Sequence, residues 1–153
     1  MKYKALFLDV DGTILPYRSY STNQLPSDKV TRAIQDASKK VHVCLATGRP
    51  LFMLEHILEH LHLKSGLAVI NDGAQVMEIP SRNMIYKKSI SKHDIKTISD
   101  FLIKEKVFFY LNDGISDAKP EKIPPIRSIL NIFTMEKMSE NRADELVDKL
   151  SSI

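Results

Sequence analysis

Cysteine, glycine, proline and tryptophan are scarce in this chain of 153 residues, which contains one Cys, five Gly, seven Pro and no Trp. The single cysteine, Cys44, has no partner for a disulfide within the chain, which is typical of a reducing compartment. So few glycines and prolines exclude collagen-like and low-complexity structure. No apolar run approaches the roughly 20 residues that cross a bilayer. These absences predict a cytoplasmic globular protein that has no membrane partner.

The charge of the chain is low and balanced, because 22 Lys and Arg residues oppose 19 Asp and Glu residues for a formal net charge of +3. The basic residues are scattered rather than clustered, so no nucleic-acid partner is indicated. Apolar residues make up 43% of the chain, which is typical of a soluble globular protein that buries a core.

Three short apolar runs alternate with two helical patterns in the first half of the chain. The runs cover 4–10, 41–46 and 67–70. The intervening helices are predicted to be capped by Ser27 and to open at Pro50. This β-α-β-α-β order predicts a parallel, doubly wound sheet.

The pattern changes after residue 74, where a hairpin precedes a helix over 91–104, a strand over 107–111 and a last helix. We therefore expect an α/β fold with a Rossmann-like core over 1–82 and a second α/β domain over 83–153.

Two acidic residues follow the first predicted strand. Asp9 and Asp11 stand two apart, so their side chains point the same way on an extended chain. Open α/β sheets bind ligands beyond the carboxyl ends of their strands. Two close carboxylates favour a divalent cation, and hard oxygen ligands suit Mg²⁺. The pattern predicts a magnesium site at Asp9 and Asp11, with an ordinary polar turn as the alternative.

The second and third predicted strands also end in polar turns. Thr47 and Gly48 precede a helix whose N-terminal amides suit a phosphate, since Thr47 adds a hydroxyl donor and Gly48 allows close backbone approach. The next residue, Arg49, is expected on the surface or in a salt bridge. Asn71 and Asp72 end the third strand, where binding of a ligand and an ordinary hairpin turn are equally good interpretations.

These segments together resemble a known family. Asp9–Thr13 resembles the first motif of the haloacid dehalogenase-like (HAD) phosphohydrolases, and Ala46–Arg49 resembles their second motif. Asn71–Ala74, followed by Ile85–Lys88, is similar to the Cof-type branch, in which an α/β cap is inserted after the third core strand. The resemblance extends through essentially the whole chain and is most specific at the first two motifs.

The resemblance implies a Mg²⁺-dependent phosphomonoester hydrolase. Asp9 would attack phosphorus and form an aspartyl-phosphate, and Asp11 would protonate the leaving oxygen and then activate water. Mg²⁺ would bind the Asp9 carboxylate and the Asp11 backbone carbonyl, while Thr47 and the Gly48 amide would hold the phosphoryl oxygens. The implied substrates are small phosphorylated metabolites such as sugar phosphates, selected by the cap.

Two further motifs of the family, a lysine and a late acidic pair, have no clear counterpart before Ile153. We therefore expect part of a core and part of a cap, with an uncovered sheet edge and apolar surface that favour self-association. One alternative is a catalytically incompetent HAD-like fragment that at most binds metal or phosphate. A second is a small capless HAD phosphatase, in which Asp113 and Asp117 form the acidic pair and Lys87 or Lys88 is the lysine.

Overall fold

The computed structural model describes residues 3–16, 23–115, 117–119, 129–134 and 137–152. The chain divides into two compact units, Met1–Lys88 and Ser89–Ile153. The division falls slightly beyond residue 82, because the strand after this point pairs with the sheet of the first unit.

The first unit is built on a five-stranded sheet whose strands lie in chain order. These strands are β1 (Ala5–Leu8), β2 (His42–Ala46), β3 (Leu67–Ile70), β4 (Gln75–Glu78) and β5 (Met84–Lys87). The first three run parallel, and the last two return as an antiparallel meander. The expected α/β class with a Rossmann-like parallel core is confirmed.

Helices α1 (Asp28–Ser38) and α2 (Leu51–Leu61) pack together on one face of this sheet. The Thr31 hydroxyl lies 3.0 Å from His60 Nε2, which links the two helices. Ser27 caps α1 as predicted, since its hydroxyl accepts from the Val30 amide. Both right-handed crossovers advance in the same direction along the sheet, so both helices fall on the same face. The described residues therefore lack the second helical layer of a doubly wound sheet.

The core of the first unit lies between these helices and the sheet. Its most buried apolar side chains are Val10, Val43, Leu45, Leu54, Ile57, Leu61, Ala68, Ile70 and Met77. This core fixes where the strands end, and hence where the polar residues after them lie.

Strand β1 stands at the edge of the sheet, and its apolar side chains are exposed. Leu6 retains 38% and Phe7 60% of its accessible surface. Phe7, Cys44 and Leu67 help to line an open cavity of about 560 Å³ next to the sheet. Parallel strands are usually covered on both faces, whereas this face of β1 is exposed. Its apolar side chains can therefore bind apolar groups.

In its described residues, the second unit contains three short antiparallel strands and two helices. Its elements are α3 (Lys92–Lys104), β6 (Tyr110–Asn112), β7 (Asp117–Ala118), β8 (Asn131–Phe133) and α4 (Glu140–Leu150), with strand order β7-β6-β8. Phe101, Val107 and Leu146 form one buried cluster between the helices. No helix in the described part of either unit has the length and apolarity needed to cross a membrane.

Candidate active site

The turn after β1 holds Asp9 at the surface. Val10 is fully buried, and its carbonyl accepts N–H groups from Ile14 at 3.1 Å and Leu15 at 2.9 Å. This anchor leaves Asp9 exposed at the carboxyl end of the strand. The Thr13 hydroxyl donates to Asp9 Oδ2 at a long 3.4 Å. The Asp9 carboxylate is therefore accessible to a ligand.

Asp11, by contrast, is held by an ion pair across two strand ends. Arg49 Nε donates to Asp11 Oδ2 at 2.8 Å, and Nη2 donates to Oδ1 at 2.6 Å. The Arg49 side chain is only 6% exposed, and its Nη1 also donates to the Met53 carbonyl at 3.3 Å. This is the salt-bridged arginine expected after β2, and its partner is the second acid of the motif. Arg49 thus fixes the orientation of Asp11.

The turn after β2 brings Thr47 and Gly48 to the same edge of the sheet. The Thr47 amide donates to the Val69 carbonyl at 2.9 Å, and the Thr47 hydroxyl accepts from the Arg49 amide at 3.1 Å. Thr47 is buried, whereas Gly48 is exposed. Helix α2 starts directly afterwards, and Pro50 at its N-cap makes no side-chain capping bond. Hydroxyl and amide groups here can bind an anion.

The turn after β3 places Asn71 and Asp72 differently. Asn71 is 2% exposed, and its amide nitrogen donates to Gln75 Oε1 at 2.6 Å, so its side chain braces the turn. Asp72 is exposed and its carboxylate lies over Gly48, because a Cβ added at Gly48 would meet Asp72 Oδ1 at 2.6 Å. The Asp72 side chain thus faces the turn after β2, and the Asn71 main-chain amide donates to the Arg49 carbonyl of that turn at 3.1 Å.

Two oxygen groups at this edge suit a magnesium ion. The Asp9 carboxylate is exposed, and the main-chain carbonyl of Asp11 is a hard oxygen ligand of the kind that Mg²⁺ accepts. Both side-chain oxygens of Asp11 are engaged by Arg49, so its carboxylate is not available in this arrangement. Among the described residues, no group of three or more His, Cys, Asp or Glu side chains is placed to hold a metal. These two protein oxygens therefore suit a Mg²⁺ ion whose other coordination positions are filled by water.

The acids of the capless alternative lie in the second unit. Asp113 and Asp117 flank the turn between β6 and β7, and β6 belongs to the separate three-stranded sheet. Asp113 Oδ1 accepts from the Ile115 amide at 2.8 Å, and Asp117 Oδ1 accepts from the Asn112 side chain. These local bonds are typical of a turn. The capless alternative requires these acids to follow a strand of the sheet that contains β1, and among the described residues β6 pairs only with β7 and β8.

An acidic pair, a Thr-Gly turn and a helix N-terminus follow the parallel strands of this sheet at one edge, which defines an open α/β protein with polar groups where such sheets bind ligands. The chain belongs to the haloacid dehalogenase-like hydrolase family, whose sequence profile matches residues 6–151. The resemblance in the strand-end motifs is thereby confirmed.

Individual relatives agree with this assignment. A Streptococcus pyogenes serotype M6 protein with a provisional phosphatase name, M6_Spy0533, is 31% identical over 97 residues, which are 61% of this chain and 34% of that protein. The fold is shared with the phosphatase BT1666 of Bacteroides thetaiotaomicron, at a TM-score of 0.67 and 17% identity over 97% of this chain and 60% of that one. It is also shared with the subclass IIB sugar phosphatase BT4131, at a TM-score of 0.63 and 19% identity over 97% and 62%.

The chain thus spans about a third of the curated relative and about three fifths of these two structures.

Proposed function

We propose that this chain carries the phosphoryl-transfer site of a phosphomonoester hydrolase that acts on small phosphorylated metabolites, among them sugar phosphates. The observation that carries the proposal is the exposed Asp9 carboxylate at the same sheet edge as the Thr47–Gly48 turn. A nucleophile and an anion-binding turn are the two parts that phosphoryl transfer needs first. The shared fold of the sugar phosphatase BT4131 supports the substrate class.

In the proposed reaction, an oxygen of Asp9 attacks phosphorus as the P–O bond to the leaving group breaks. Asp11 donates a proton to the leaving oxygen, and then accepts one from the water that hydrolyses the aspartyl-phosphate. Both Asp11 oxygens contact Arg49, so one of them must turn toward the substrate for proton transfer. Thr47 and the Gly48 amide hold the phosphoryl oxygens meanwhile.

The Asp9 carboxylate and the Asp11 main-chain carbonyl would hold a Mg²⁺ ion at this edge. When bound, the ion supplies positive charge between an anionic nucleophile and an anionic ester.

The test is the release of inorganic phosphate by the full chain, measured with and without Mg²⁺. We expect Mg²⁺-dependent release that Asp9→Asn abolishes. Asp36→Asn is the matched control, because Asp36 is an exposed carboxylate of α1 that pairs only with nearby Lys39 among the described contacts. Turnover that survives Asp9→Asn contradicts the proposal.

A second candidate is a domain that binds phosphate or metal without turnover. It is favoured by the small number of metal-ligating side chains in the described residues and by the engagement of Asp11 with Arg49. Saturable binding of inorganic phosphate with no ester hydrolysis would support this candidate over the first.

A further inference from the structure

The carboxylate of Asp72 lies against the turn that would hold the phosphoryl group. A Cβ added at Gly48 would be 2.6 Å from Asp72 Oδ1, 3.5 Å from its Cγ and 3.8 Å from Oδ2. The carboxyl group therefore sits directly over this glycine, and both residues are exposed to solvent. A ligand that reaches the Gly48 amide must pass close to this negative charge.

The backbone of the β3–β4 turn holds this side chain in place. Asn71, Asp72 and Gly73 have consecutive positive φ angles of 52°, 53° and 88°. The turn is closed by the Gly73 amide on the Ile70 carbonyl at 3.1 Å and by the Asn71 side chain on Gln75. Asp and Asn tolerate this left-handed conformation better than most residues. The position of the carboxylate thus follows from a closed, well-bonded turn.

The chemistry of a carboxylate next to a phosphoryl site is selective. An ionised Asp accepts hydrogen bonds and donates none, and phosphoryl oxygens are acceptors as well. Inorganic phosphate and simple alkylphosphonates therefore meet a like charge, and the remaining P–OH of hydrogen phosphate offsets that repulsion only in part. A ligand with a hydroxyl next to its phosphoryl group can donate to Asp72 while Thr47 and Gly48 hold the phosphoryl oxygens. Such a charge-assisted hydrogen bond is stronger than one between neutral groups.

We propose that Asp72 determines the specificity of this site, and that it favours phosphorylated compounds with a hydroxyl beside the phosphoryl group over inorganic phosphate and over esters without such a donor. This inference rests on the proposed function, because it takes the Thr47–Gly48 turn as the phosphoryl-binding position. It narrows the substrate class to polyol and sugar phosphates whose hydroxyl is adjacent to the phosphorylated carbon.

The experiment measures dissociation constants by isothermal titration of the full chain with Mg²⁺ present. The probes are 3-hydroxypropylphosphonate, propylphosphonate and inorganic phosphate. A CH2 group replaces the ester oxygen in the two phosphonates, so they are not hydrolysed, and they differ by the one hydroxyl in question. We expect the wild-type chain to bind the hydroxylated phosphonate about tenfold more tightly than propylphosphonate. In Asp72→Asn, which suits the left-handed backbone, this preference should shrink to about threefold or less, and phosphate should bind about tenfold more tightly.

Glu59→Gln is the matched control, because it removes the same charge from an exposed position near the far end of α2. If Glu59→Gln binds phosphate as tightly as Asp72→Asn does, the gain in affinity comes from the change in net charge, and the inference is overturned. Unchanged affinities in Asp72→Asn, with phosphate bound by the wild type, would overturn the inference and leave the proposed function intact. Absence of binding of all three probes to every variant would overturn both.

Discussion

Replacement of Arg49 by Met tests the link between the first two strand-end turns. The substitution keeps an apolar stem of similar length and removes the guanidinium, which donates to both oxygens of Asp11 from a side chain that is only 6% exposed. Exposed ion pairs contribute up to about 1 kcal/mol, whereas breaking a buried one costs roughly 3–5 kcal/mol. The Asp11 side chain is 40% exposed, so this pair falls between these limits, and we expect a loss of about 2 kcal/mol.

For a unit of this size, a loss of about 2 kcal/mol corresponds to a fall in Tm of roughly 8 °C or more. Circular dichroism on heating measures this shift. Arg82→Met is the matched control, because Arg82 pairs with Glu55 at 2.8 Å in the same unit but is 29% exposed, so its loss should stay under about 1 kcal/mol. An Arg49→Met chain that melts no lower than this control would refute the structural role of the pair.

The same variant also tests the role of Asp11 in proton transfer. If Arg49 orients Asp11, kcat should fall about tenfold more for an alkyl phosphate than for p-nitrophenyl phosphate, whose leaving group needs little protonation. An equal fall for both esters would indicate a general loss of structure instead.

The other predictions concern folding, acid stability and association. Gly66→Ala should destabilise the first unit by about 3 kcal/mol or more, because its Cβ would lie 1.9 Å from a backbone carbonyl oxygen. Gly73→Ala, whose Cβ would meet no atom within 4 Å, should cost only about 1 kcal/mol. Denaturant unfolding measures both losses. Hydrogen bonds from Lys149 and then Arg142 lower the pKa of Glu105 in the folded chain. The ionised Glu105 therefore stabilises the second unit above its unfolded-state pKa of roughly 4.3, and this stabilisation is lost as the pH falls through the lower pKa of the folded state. The helical signal of the second unit should decrease over that acid range, and Glu105→Gln should reduce that dependence; the part that remains includes Glu145, whose pKa is lowered by hydrogen bonds from Lys149 and then Arg142. The exposed edge strand β1 should cause concentration-dependent self-association, which sedimentation velocity measures. Phe7→Lys should reduce this association. Ile103→Lys, at a similarly exposed position of a helix, should leave it unchanged.

Much of the fold is visible in the periodicity of the sequence. The apolar runs over 41–46 and 67–70 match β2 and β3, and the serine that precedes α1 caps it as its position predicts. These features depend on neighbouring residues, whose spacing is written directly in the chain. The placement of Asp9 and Thr47 at one sheet edge also follows, because parallel strands present their carboxyl ends together.

Features that depend on long-range contacts could not be predicted in the same way. The partner of Arg49 is Asp11, 38 positions earlier in the chain, and only the β1–β2 pairing brings the two together. The position of both helices on one face depends on the order of the strands rather than on the pattern of either helix. The approach of Asp72 to Gly48 depends on three successive positive φ angles, which the residue types allow but do not require.

The covalent state of Asp9 during turnover is the measurement that tests the proposed mechanism most directly. The Asp11→Asn chain would be mixed with Mg²⁺ and p-nitrophenyl phosphate, quenched in acid and examined by peptide mass spectrometry. We expect one phosphoryl group, located on Asp9, because the nucleophile is intact while the base that activates water to hydrolyse the intermediate is missing. The mechanism would be contradicted if the wild-type chain releases nitrophenol, Asp9→Asn releases it at the same rate, and the Asp11→Asn chain carries no phosphoryl group on Asp9.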